Sequence, residues 1–209
     1  QMEWMLRSAR QLPPHDLGRE TNLLRQRMTR LQNQLSLSGE QGRPLALYAL
    51  GRGHLALHEY AEALTQLQLA IAAGNQRPEV HYALGLALGK HYERAMADAR
   101  LGGGGAWAQK QLTQVEPRYL TPAISELRRS QVSEADSTAY LEGLIAFYRA
   151  DYDTAIARAN EAQQAARQTA GETGLRHAAG GRTDPAGREA LRVGGRDEHQ
   201  ARHLVRTIS

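Results

Sequence analysis

The 209-residue chain has no cysteine, which removes disulfides and thiolate metal sites from consideration. Aromatic residues are also scarce, at 5% with a single phenylalanine. That leaves little from which to build a sandwich or barrel core, and the 41% hydrophobic content suits an alanine- and leucine-rich helical protein. No apolar run approaches the ~20 residues needed to cross a bilayer, and Gln1-Met2-Glu3-Trp4 lacks a basic start followed by an apolar stretch. The expectation is one elongated, soluble domain, cytoplasmic and without membrane contact. A large excess of one charge is missing as well. The formal net charge is +4, and residues 166–209, with eight arginines against five acids, hold +3 of it. The body is then nearly neutral, and no one-sided basic helix is expected to track phosphates.

What is present is a repeat. Tyr82-Ala83-Leu84-Gly85 copies Tyr48-Ala49-Leu50-Gly51 at a distance of 34 residues, and Ala97 copies Ala63 at the same distance. Gly143, Tyr152 and Ala155 then reproduce the spacing of Gly51, Tyr60 and Ala63, but out of phase, so an insertion must precede them. A 34-residue unit with Leu-Gly early and Ala in its second half resembles the tetratricopeptide pattern of two antiparallel helices per repeat. The resemblance implies an all-α fold, with helix-turn-helix repeats stacked as a right-handed superhelical solenoid. Repeats are expected at about 44–77, 78–101 and 136–165, with a helical insertion at about 102–133. Small residues at Gly51, Gly85, Ala63 and Ala97 mark the helix crossings, where a larger side chain overpacks.

Outside the repeats, Met2, Met5, Leu6, Ala9 and Leu12 share a helical face that ends at Pro13-Pro14. Asp16 is placed to cap a second helix, whose stripe of Leu24, Met28, Leu31 and Leu35 should pack against the first repeat. Residues 1–40 therefore read as an N-terminal helical segment. Within the insertion, Ala106–Val115 and Pro122–Arg129 look like short helices split by Glu116-Pro117, after a Gly102–Gly105 run suited to a flexible joint. Residues 166–209 form a Gly/Arg-rich tail without a buried stripe, expected to be of low order. Misread GC-rich codons would give a similar composition.

The segments Leu12-Pro13-Pro14-His15-Asp16, Tyr48 through Leu57, and Tyr140 through Tyr148 resemble the tetratricopeptide region that follows the catalytic domain in large bacterial serine/threonine protein kinases. This resemblance covers about residues 1–165. It implies a non-catalytic recognition region, and a first residue of Gln1 rather than Met fits a fragment of something longer. A free-standing adaptor is the alternative reading. Nucleic-acid binding through the basic tail is less favoured, because the arginines are offset by acids and have no aromatics interleaved for stacking.

No catalytic, cofactor or metal site is expected. Phosphoryl transfer needs His-Arg-Asp and Asp-Phe-Gly elements that are missing from this sequence. His54 and His58 stand four apart, which is metal-ligand spacing, but His54 falls where the repeat places a packing aromatic. Gly85-Leu86-Ala87-Leu88-Gly89-Lys90 is one residue short of a phosphate loop, and His91 stands where Ser or Thr would hold magnesium. The expected partner is a protein or peptide in the concave groove. The groove should be lined by Tyr48, Tyr82 and Tyr140 with Arg52, Leu86 and Leu144 one turn further on.

Overall fold

A computed structural model describes residues 18–37, 42–101, 110, 113–130 and 138–180. Among these the chain is all helical, with no strand. It divides into two compact units, residues 1–130 and 131–209. The first unit contains α1 (Gly18–Leu37), α2 (Arg43–Ala56), α3 (Tyr60–Ala72), α4 (Pro78–Leu101) and α5 (Thr121–Ser130). A π-helical turn, Glu116–Leu120, leads directly into α5. The second unit contains α6 (Thr138–Tyr148) and α7 (Tyr152–Gly180). The helix expected over Met2–Leu12, the Asp16 cap, the Gly102–Gly105 run and the tail past Gly180 lie outside the described residues.

Each helix pair closes on a glycine. A Cβ on Gly51 of α2 would lie 2.5 Å from Leu67 Cγ of α3, and one on Gly85 of α4 would lie 2.7 Å from Leu127 Cγ of α5. In the second unit, a Cβ on Gly143 of α6 would meet Ala155 O and Ala159 N of α7 at 3.3 and 3.4 Å. The facing helices answer with one pattern at spacings of four and three. Ala63, Leu67 and Ala70 recur as Ala123, Leu127 and Ser130, and again as Ala155, Ala159 and Ala162, all nine with 0% exposure. Small residues on both sides let the helix axes approach closely, so that backbone and side chain meet without voids. Ser130 satisfies its buried hydroxyl locally by donating to Leu127 O at 2.7 Å.

This pattern corrects the expected second repeat. Residues 78–101 are not two helices but the single 24-residue α4, and Ala97 is exposed rather than at a crossing. The partner of α4 is α5, inside the segment read as an insertion. The two are also joined by buried His81, whose Nδ1 lies 2.6 Å from Glu126 Oε2. Leu67 follows Gly51 by 16 residues, whereas Leu127 follows Gly85 by 42, so the additional chain lies inside the helix pair and not between pairs. Nor does Glu116-Pro117 split two helices. The backbone runs from Thr113 to Ser130 without leaving helical geometry, because a π turn accommodates the proline. At the other end of the chain, α7 continues to Gly180, into the 166–209 segment expected to be of low order. Alanines at 162, 165, 166 and 170 supply the helix propensity.

The turns repeat as faithfully as the packing. At the end of α2, Glu59 N–H donates to His54 O at 2.9 Å and His58 N–H to Leu55 O at 3.1 Å, with His58 at φ +61°. At the end of α6, Asp151 N–H donates to Ala146 O and Ala150 N–H to Phe147 O, both at 3.0 Å, with Ala150 at φ +60°. This is the left-handed helix stop that glycine usually occupies. Here a Cβ is held in that region at a cost of about 1–2 kcal/mol. Ala150→Gly is therefore expected to stabilise the second unit, by about 0.5–1 kcal/mol after the added freedom of the unfolded chain is counted. Thermal unfolding checks this, and a lowered midpoint would contradict it. At the end of α3, Gly74 fills the same role at φ +97°, and Asn75 Nδ2 reaches back to Pro44 O at 3.3 Å.

Helix α1 packs antiparallel against α2, as its apolar stripe leads one to expect. Leu24 and Met28 are buried with Leu50, flanked by Leu31 and Leu35. Gly53 admits this approach, since a Cβ there would lie 2.6 Å from Met28 Sδ. An ion pair from Arg25 to Glu59 at 2.5 Å fastens α1 to the α2–α3 turn, where Glu59 also meets His54 Nδ1 at 2.8 Å. Burial pushes the Glu59 carboxyl up, but the hydrogen bonds from His54 and Arg25 and the Arg25 charge outweigh it, so its pKa lies below the ordinary value.

Candidate interaction surface

Of the residues expected to line a groove, Tyr48, Arg52, Tyr82 and Leu86 lie in the first unit and Tyr140 and Leu144 in the second. Arg52 and Tyr48 are brought together. The guanidinium Nη1 donates to the tyrosine hydroxyl at 2.7 Å, and its centre stands 5.7 Å from the centroid of the same ring. The hydrogen bond and the ring face hold one cation in a fixed orientation on α2. Both residues are half-buried, as is Leu86 on α4.

The other three are corrected by their burial. Tyr82 is 8% exposed, Tyr140 7% and Leu144 5%, so none offers its ring or chain as an open contact surface. The reason in the first unit is the enclosure of α4 by its neighbours. Residues 80–85 and 87–89 are all buried, which confines the accessible part of its first three turns to Pro78, Glu79, Leu86 and Lys90. Glu79, Leu86 and Lys90 stand at spacings of seven and four and so form one stripe. On α2, which touches α4, the accessible stripe is Leu45, Ala49, Arg52 and Ala56, at spacings of four, three and four. Leu45 is 59% exposed.

Leu45, Glu79 and Lys90 lie outside the repeated tetrapeptide on which the expected groove was built, and Ala49 lies inside it between the tyrosine and the glycine. The heptad-like spacing of Leu45, Ala49 and Arg52 was the available signal. The surface carries both signs of charge. Lys90 Nζ pairs with Glu93 at 2.8 Å, and Glu79 Oε1 accepts from Arg77 at 3.2 Å.

Two cavities border these helices. One, of about 340 Å³, opens between α1 and α2 and is lined mainly by carbon from Leu31, Leu35, Leu45, Ala46 and Ala49, with Gln34 beside them. The other, of about 260 Å³, lies between the second half of α4 and the π turn, against Ala95, Asp98, Ala99, Val115, Arg118 and Tyr119. Beside it His91 packs on Tyr119 with ring centroids 4.5 Å apart, and the Arg118 guanidinium stands 5.3 Å from the centre of the Tyr119 ring. Burial, then the charges of Arg118 and Arg94, lower the His91 pKa.

The features that resemble chemistry turn out otherwise. His54 and His58 do not converge: the first turns to Glu59, and the second places Nδ1 2.7 Å from the Tyr60 hydroxyl. Among the described residues no cluster of three His, Asp or Glu side chains could hold a metal ion. Gly85 through Lys90 lies within α4, where the backbone N–H groups are spent on helix hydrogen bonds and cannot cradle a phosphate. No described helix is long and apolar enough to cross a membrane. Comparison of the chain with models of protein families, with curated proteins and with solved structures finds no match.

Proposed function

We propose that the chain is a protein interaction module, built of tetratricopeptide-like helix pairs, that takes a peptide segment of a partner protein across the open stripes of α2 and α4. The recurrence of one buried triad at Ala63, Ala123 and Ala155, each paired with a glycine, carries the repeat reading. Repeats of this kind leave one face of their first helices uncovered, and that face is where such scaffolds hold their partners. The Tyr48–Arg52 pair supplies an oriented cation and an aromatic edge, the side-chain types that dominate binding energy in interfaces, and Leu86 adds an aliphatic surface beside them. On the resemblance to kinase-linked repeats, the module serves as the recognition region of a bacterial serine/threonine kinase and performs no transfer chemistry of its own.

Selection of peptides from a displayed library on the full chain, followed by affinity measurement on a Leu86→Asp variant, tests this reading. Enriched peptides are expected to lose at least about tenfold in affinity, the equivalent of about 1.4 kcal/mol, with helix content unchanged. Failure to enrich any peptide, or unchanged affinity in the variant, would overturn it.

A further inference from the structure

Where the second half of α4 meets the π turn, the cavity of about 260 Å³ lies between them, so the side chains lining it lack partners across the gap. Beside the cavity the ring of His91 meets that of Tyr119, with centroids 4.5 Å apart and planes at 67°. Both residues are half-buried, and Tyr119 also packs on the core of the first unit, so this ring contact ties the π turn to α4. The charges that act on His91 are both positive, Arg118 from the π turn and Arg94 one turn further along α4. Arg118 already stands 5.3 Å from the centre of the Tyr119 ring, which leaves that ring a poor acceptor for a second cation. The acids of the same elements are engaged elsewhere or face water. On α4, Glu93 pairs with Lys90 and Asp98 is exposed; on the π turn, Glu116 is exposed. On α5, Glu126 pairs with His81 and Arg129, and Arg128 stands in the last turn. On α3 the one charged residue, Glu62, is exposed, and on α2 Arg43 is exposed, Arg52 rests on Tyr48 and His54 turns to Glu59.

From this geometry we infer that His91 is an acid-released latch: on taking up a proton it becomes a third cation beside Arg94 and Arg118, and the π turn comes away from α4. The latch needs no ligand and so does not depend on the chain being an interaction module. Neutral His91 is the form that suits the half-buried contact. Burial, and then the Arg118 and Arg94 charges, hold its pKa below the ordinary value, whereas in the opened chain it returns to about 6.5. As the pH falls through that value the open form takes up the proton first. The contact is therefore at full strength above about pH 6.5 and is progressively lost as the pH falls toward the lower value of the closed form. Glu59, whose pKa is lowered, stays ionised throughout this window, so the Arg25 ion pair at the α2–α3 turn is not what gives way. The opening is local, because the cavity leaves this junction fewer apolar contacts than the Gly85–Leu127 crossing.

Because the chain has no cysteine, Val115→Cys places a single thiol on the wall of the cavity, at a position only 7% exposed. The rate at which the full chain reacts with a dipyridyl disulfide, divided into the rate for a short unstructured peptide of the same local sequence, gives the protection of that thiol at each pH. Protection is expected to fall severalfold between about pH 7.5 and about pH 5.5, with helix content by circular dichroism nearly unchanged. His91→Phe, which keeps a ring against Tyr119 and cannot titrate, should hold protection level across the range. Arg118→Gln, which removes one of the two repelling charges, should make the fall smaller. Should Val115→Cys fail to fold, Ala99→Cys on the α4 wall, 6% exposed, reports on the same junction. Protection that does not change with pH in the parent overturns the latch. So does a fall that survives His91→Phe, which would give the transition to another titrating group such as His81. Loss of most of the helix content together with the protection also overturns it, by showing that the whole unit unfolds rather than the junction.

Discussion

Leu127→Ala is expected to lower the stability of the first unit by about 2–5 kcal/mol, the range for removing a fully buried leucine side chain from a core that only partly collapses. Leu127 is 0% exposed and fills the space left by Gly85. The measurement is chemical denaturation followed by far-ultraviolet circular dichroism. Its value is diagnostic, because the repeat period alone pairs the start of α4 with the region of Ala97 and assigns Leu127 to an insertion. An unfolding midpoint that did not move would return α5 to the status of a peripheral segment. Ala97, exposed on α4, provides the control: Ala97→Leu should leave the midpoint nearly unchanged.

Gly85→Leu should destabilise the same unit by about 1–3 kcal/mol through overpacking, with a value at the upper end expected. A Cβ at this position lies 2.7 Å from Leu127 Cγ and 3.1 Å from Leu127 N. The side chain can turn away, but the backbone nitrogen moves only with α5. At Gly51 the nearest backbone atom, Leu67 N, is at 3.4 Å, so the same substitution there should cost less. Gly143→Ala meets nothing closer than 3.2 Å and gains up to about 1 kcal/mol of helix propensity, so it should be near neutral. The ordering Gly85, Gly51, Gly143 is the test. In the double variant Gly85→Ala with Leu127→Ala the two losses should not add, since each relieves the other, with a coupling of about 0.5–3 kcal/mol. Simple additivity would show that the two residues do not touch.

Much of the helical structure was legible because helix formation and the small-residue positions are local properties. The stripe of Leu24, Met28, Leu31 and Leu35 identified α1 and its docking on the first pair, and Gly51 with Ala63 located the first crossing. The second pair was misread for a traceable reason. At the end of α2 the chain stops on His58 in the left-handed region, whereas the residue one period later, Tyr92, continues as ordinary helix in the middle of α4. No proline interrupts residues 79–101, so nothing local ends the helix there, and Ala97 keeps the period without keeping the contact. The true partner is distinguished only by its Ala123, Leu127 and Ser130 spacing, which is too short a signal to stand out in sequence.

For the candidate surface, the sequence identified the side chains and the structure decided their exposure. Tyr48, Tyr82 and Tyr140 are equivalent in the repeat, yet only Tyr48 keeps a substantial accessible area. Whether a tyrosine at this position faces solvent depends on how many helices surround it, which no single repeat encodes. Charge behaves in the same way. Summed over residues 1–165 it nearly vanishes, but four of the arginines gather on α1, one of them paired with Glu59 at the α2–α3 turn.

By itself, the sequence determined that the chain folds into amphipathic helices closed on one another at glycine and alanine, because periodicity, propensity and side-chain size act over a few turns. Only the tertiary structure decided that α5 completes the pair begun by α4, that three of the six expected groove residues are buried, and that an apolar recess opens between α1 and α2. These depend on contacts between residues far apart in the chain, where burial is set by which helices meet.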